Sequence, residues 1–135
     1  MDYFWEYKGW FDADSHLQAV RAQPFQREFP PVPKDAGLFV VRGPRQIGKS
    51  SFLKTILRNV CEDRTIGPKK AFYLTCEGLS DHKELTEVLR STAQRTVILL
   101  DEISFVGEWW RAVKQHLDGG SKQILVLTGS HAVDL

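Results

Sequence analysis

Eight consecutive residues, Gly43-Pro44-Arg45-Gln46-Ile47-Gly48-Lys49-Ser50, match G-x-x-x-x-G-K-[ST] at every fixed position. The glycines let the main chain curl, so that successive N–H groups face inward and cradle phosphate oxygens. Lys49 then reaches the β- and γ-phosphates, and the Ser50 hydroxyl is placed to hold Mg²⁺. Ser51 is positioned to donate to the α-phosphate. The segment Gly43 to Ser51 is therefore the expected nucleotide-contact run. Arg45 suits either a phosphate contact or a solvated loop, since its guanidinium is always charged.

A second chemical pair is Asp101-Glu102, which follows the apolar run Val97-Ile98-Leu99-Leu100. That order puts Asp101 at the carboxyl end of a buried strand, where ligands bind in open α/β sheets. A carboxylate there can hold Mg²⁺ directly or through water. Glu102 is then placed to polarise a water for attack on the γ-phosphate, a general-base role. Thr128-Gly129-Ser130 ends the next apolar run, so a hydroxyl from it can sense the γ-phosphate or the attacking water. Ser130 is preferred to Thr128 by a narrow margin.

The elements that must position these groups can be read from periodicity. Gly37 to Val41, Ala71 to Cys76, Thr96 to Leu100 and Gln123 to Thr128 are short apolar runs of the kind that form buried parallel strands. Between them, helical spacing runs over Ser50 to Cys61, with Phe52, Leu53, Ile56, Leu57 and Val60 on one stripe. A second helix begins at Asp81, with Glu84 completing a capping box. A third covers Trp109 to Leu117 and stops at Asp118-Gly119-Gly120. Strands alternating with helices predict an α/β, doubly wound, mainly parallel sheet with helices on both faces. Pro30-Pro31-Val32-Pro33 separates this core, residues 34–135, from an N-terminal segment, residues 1–33, with a short helix over Ser15 to Ala22. Of Trp109 and Trp110, one is expected on the sheet and the other at a contact surface.

The chain has 135 residues, 42% hydrophobic and 26% charged, the balance of a soluble globular domain. Eighteen Lys and Arg against 17 Asp and Glu leave a formal net charge of +1, so charge does not indicate nucleic acid as a partner. Cys61 and Cys76 form no C-x-x-C pair and no zinc spacing. No apolar run approaches the roughly 20 residues of a membrane helix, and no membrane is expected. The N-terminus lacks a secretion signal, and a cytoplasmic location is the expectation.

Together, Gly-Pro-Arg-Gln-Ile-Gly-Lys-Ser, Leu-Leu-Asp-Glu-Ile, Trp110-x-Ala112-x-Lys114 and Leu127-Thr128-Gly129-Ser130 resemble the prokaryotic AAA-like P-loop ATPases. Asp118-x-Gly120 and Ala132-Val133-Asp134-Leu135 resemble members of that family too. The resemblance covers about residues 14 to 135. It implies a P-loop NTPase core in which Lys49 and Ser50 bind Mg-ATP, Asp101 serves the metal, Glu102 is the catalytic base and Ser130 holds the sensor position. Members of the family continue beyond the equivalent of Leu135 into an arginine-containing segment, a further strand and a C-terminal region. The chain is thus expected to be partial, with four strands present. Leu38 to Val41 should lie at a sheet edge open to self-association or to that C-terminal effector region. The leading function is ATP binding with hydrolysis; the alternatives are a nucleotide-binding module without turnover and, third, a P-loop small-molecule kinase. Glu102 speaks against the kinase, which uses an acceptor hydroxyl rather than an activated water. A GTPase is disfavoured because no Asn-Lys-x-Asp is present.

Overall fold

Residues 3–22, 35–42 and 49–129 are described in a computed structural model. The four apolar runs become strands β1 (Gly37–Arg42), β2 (Ala71–Thr75), β3 (Val97–Asp101) and β4 (Ile124–Gly129). They pair in the order β1-β4-β3-β2, and every pairing is parallel. β3 and β4 are buried along their whole length because they are the central strands. That is why they read as unbroken apolar runs rather than as alternating ones. β1 pairs with β4 alone among the described strands, as expected for an edge strand. Its side chains are correspondingly less covered, and Phe39 is 37% exposed.

The connections are helices α3 (Lys49–Glu62), α4 (His82–Ser91) and α5 (Trp109–Asp118). α3 leads from one edge strand to the other, while α4 and α5 lead back toward β4. Right-handed crossovers in opposite directions put α3 on one face and the α4–α5 pair on the other. The fold is therefore the doubly wound α/β sheet that the sequence predicts. Leu53, Ile56 and Leu57 of α3 and Leu85 and Leu89 of α4 are at most 1% exposed. They form one core with the two central strands.

Local sequence signals set the ends of these elements. Asp81 caps α4 by accepting the Glu84 N–H at 3.0 Å. The Glu84 carboxylate reaches back one residue further than a capping box requires, to the Ser80 N–H at 3.0 Å. α5 ends at Asp118 with Gly119 as its cap, and the left-handed residue that turns the chain away is Gly120, at φ 85°. Cys76, expected to close β2, opens a 3-10 turn instead. Trp109 is 3% exposed and Trp110 50%, which divides the pair between core and surface.

The N-terminal helix over Ser15 to Ala22 is present as α2 (Ser15–Ala22), preceded by a single turn, α1 (Trp10–Ala13), and a 3-10 turn at Phe4–Glu6. The packing of this segment is not visible in the sequence. Trp5 is 2% exposed, belongs to the main core and donates its indole N–H to the Pro68 carbonyl at 3.2 Å. Phe4 meets Tyr73 edge-on at 5.9 Å, while Tyr3 and Trp5 meet Phe72 at 5.7 and 6.0 Å. Successive β2 side chains point to opposite faces, so the segment straddles the β2 edge of the sheet.

Candidate functional site

All four strands are parallel, so their carboxyl ends share one edge, and the chain leaves that edge after Arg42, Thr75, Asp101 and Gly129. Register decides which side chains meet there. Tyr73 lies opposite Leu99, and Val126 lies opposite Leu99 from the other side. Asp101 and Thr128 stand two residues beyond Leu99 and Val126. Tyr73, Asp101 and Thr128 therefore share a face of the sheet.

On that face Asp101 is 3% exposed and accepts a hydrogen bond on each carboxylate oxygen. The Thr128 hydroxyl donates to Oδ1 at 2.6 Å, and the Tyr73 hydroxyl donates to Oδ2 at 2.9 Å. Thr128 Oγ1 also accepts the main-chain N–H of Glu102 at 3.1 Å. One threonine thus fixes both acidic residues. Glu102 is 8% exposed and sits in the left-handed region, at φ 53° and ψ 52°. That conformation is uncommon for a residue with a side chain, and it redirects the chain at the strand end.

Burial, with the Asp101 charge beside it, pushes the Tyr73 phenol far above its ordinary range, so it remains a donor. Burial and the same charge push the Cys76 thiol up to about 12. Burial pushes Cys61 up to about 11. Both thiols therefore stay protonated at neutral pH.

The phosphate-binding run is described from Lys49 onward. Lys49 is the first residue of α3 and is 3% exposed; Ser50 is half-buried. The Ser51 hydroxyl donates to the His16 carbonyl of α2 at 3.3 Å. Gly43, Pro44, Arg45, Gln46, Ile47, Gly48 and Ser130 lie outside the described residues. Of the groups singled out in the sequence, the structure brings together Asp101, Glu102 and Thr128. It adds Tyr73, which sequence reasoning missed. The signal was available in principle, since a tyrosine inside a buried strand needs a partner for its hydroxyl.

Among the described residues no three His, Cys, Asp or Glu side chains gather in a way that could hold a metal ion. A single fixed carboxylate fits a Mg²⁺ ion that takes its other ligands from phosphate and water. No helix among the described residues is long and apolar enough to cross a membrane.

A parallel sheet with an acid at the end of a central strand, joined to a helix that begins with the lysine of a phosphate-loop sequence, defines a nucleotide-binding domain of the P-loop NTPase type. The model of the AAA domain family matches residues 35–135, and the chain belongs to that family. No curated protein and no solved structure matches the chain.

Proposed function

We propose that the chain binds Mg-ATP and hydrolyses it, acting as a switch for a C-terminal region or a partner. The observation that carries this reading is Asp101, held on both oxygens by Thr128 and Tyr73 at the edge where α3 begins. Each carboxylate oxygen retains a lone pair after accepting one hydrogen bond, enough for a cation or its bound water. ATP with Mg²⁺ would supply the transferable phosphoryl group and the positive charge that neutralises it.

Lys49 would bind the β- and γ-phosphates, and Ser50 and Asp101 would hold the cation. Glu102 would orient a water and take its proton, with Thr128 keeping the main chain of Glu102 fixed relative to Asp101. Ser130 is assigned to γ-phosphate sensing. The side of β1 that pairs with no described strand supports the addition of a strand from a C-terminal effector region or from a second copy of the chain. A cytoplasmic location accompanies this reading.

The test is calorimetric titration with ATP, with and without Mg²⁺, together with phosphate release. Lys49→Ala should remain folded and lose ATP affinity by at least about tenfold, the equivalent of one lost charge-assisted contact. Unchanged affinity in the folded variant would overturn the reading. Binding without turnover in the parent would leave a nucleotide-binding module in its place.

A further inference from the structure

Tyr73 connects Asp101 to a part of the chain far from the phosphate-binding sequence. Its hydroxyl ends on Asp101 Oδ2 at 2.9 Å, and its ring is held by two groups that have nothing to do with the sheet edge. Phe4 packs edge-on against it at 5.9 Å. The Lys54 ammonium lies 5.7 Å from its centroid and 5.8 Å from that of Phe4, both within cation–π range. Lys54 in turn pairs with Asp14 at 2.7 Å and donates to His16 Nδ1 at 2.9 Å.

Asp14 is the residue immediately before α2. Its Oδ1 accepts the N–H groups of His16 and Leu17 at 3.0 and 3.1 Å. Its side chain is only 8% exposed. Lys54 thus bridges the start of α2, the Phe4 ring and the Tyr73 ring. Undocking residues 3–17 would remove Phe4 and Asp14 together, leaving both the Tyr73 ring and the Lys54 ammonium without these neighbours.

We propose that Tyr73 is a positioning residue for Asp101, and that Lys54 makes this positioning depend on whether the N-terminal segment is docked. The proposal rests on the reading of Asp101 as the metal-site carboxylate. Docked, the segment holds the Tyr73 hydroxyl on Oδ2 and leaves Asp101 one orientation. Undocked, Asp101 keeps only its Thr128 anchor and can rotate about it. The N-terminal segment is then a control element for metal engagement, and anything that binds its aromatic residues competes with Tyr73 for Phe4.

Two variants of the full chain test this. Tyr73→Phe removes the hydroxyl and keeps the ring; Asp14→Asn removes the charge holding Lys54 and keeps an acceptor for the α2 cap. The first readout is the Asp101 side-chain carboxyl ¹³C resonance without nucleotide. It should move in both variants, further in Tyr73→Phe, while that of the distant Asp63 stays in place. The second is Mn²⁺ affinity of the ATP-loaded chain by electron paramagnetic resonance. It should fall about threefold or more in both variants, with ATP affinity in the absence of metal unchanged, as expected for loss of one hydrogen bond of ordinary net strength.

An Asp101 resonance that does not respond to either variant would overturn the proposal. So would a Tyr73→Phe chain that fails to fold, because the hydroxyl would then be structural. A parent chain that binds no ATP would instead overturn the nucleotide reading, and the carboxyl resonance would still decide the link between Asp14 and Asp101.

Discussion

Thr128 donates its hydroxyl to Asp101 at 2.6 Å while the same oxygen accepts the Glu102 N–H at 3.1 Å. Both acidic residues of the candidate site are thereby referred to one atom on the neighbouring strand. Thr128 is fully buried, so neither contact can be replaced readily by water. The threonine weighed as a phosphate sensor in the sequence is committed to orienting the acids beside it.

Thr128→Val keeps the shape and removes the hydroxyl. It leaves a buried N–H at Glu102 and one Asp101 oxygen without their partner, a loss of about 1–3 kcal/mol. Thr128→Ser should recover most of it. Urea denaturation of the three proteins measures the difference, and equal midpoints for Val and Thr would contradict the bond network.

Glu102→Gln preserves size and hydrogen-bonding capacity but cannot take a proton. ATP affinity should be retained while turnover falls by about 10²- to 10⁴-fold. Calorimetry and phosphate release on the same preparation separate the two quantities. Equal turnover in variant and parent removes Glu102 from the base role.

Asp14 is opposed by its own burial, but its contacts with Lys54 and the Leu17 N–H outweigh this and hold its carboxyl below the ordinary value of 3.8. A depressed folded-state value means that the ionised form stabilises the fold. That stabilisation is complete above the ordinary carboxylate range and is lost as pH falls through the lower, folded-state value. Asp14→Ala should therefore cost about 1 kcal/mol at neutral pH, mostly as a lost cap. The gap to the parent should close under acid. Denaturant titrations at neutral and acid pH check the sign: a gap that widens on acidification refutes the assignment.

Trp5 tests whether the N-terminal segment is part of the fold. At 2% exposure within the main core, Trp5→Ala should destabilise the whole domain by about 3–5 kcal/mol. If the segment were a loosely held arm, the unfolding midpoint would not move.

The alternating scheme of strands and helices was legible because each element carries its own periodicity. Val97 to Asp101 and Lys49 to Glu62 differ by only a residue or so at each end from what spacing predicts. Asp101 and Glu102 were legible because an acid directly after four apolar residues has few places to be except a strand end. Tyr73 was not, since its role depends on register between β2 and β3, and pairing leaves no mark in either strand alone. Lys54 and Asp14 are likewise far apart in sequence and meet only because α2 packs on α3. The docking of Tyr3, Phe4 and Trp5 was hidden for the same reason: aromatic residues before the first strand announce burial without saying against what.

The neighbour relation between β1 and β4 has a consequence in time. β2, β3 and β4 each pair with the strand nearest in the chain, so a growing polypeptide can join them one after another. β1 emerges first of the four, yet its only described partner is the last to be made. It must wait through the synthesis of three helices and two strands, and closing that long loop is among the slower steps a folding chain takes. The phosphate-binding sequence directly follows β1, so competence for nucleotide is acquired at the end of assembly. A half-built domain would have its acidic residues in order before it had anywhere to seat a phosphate. A circular permutant that begins at β2 and carries β1 after β4 would turn this longest-range pairing into a local one, and it should fold faster than the natural order without altering the finished sheet.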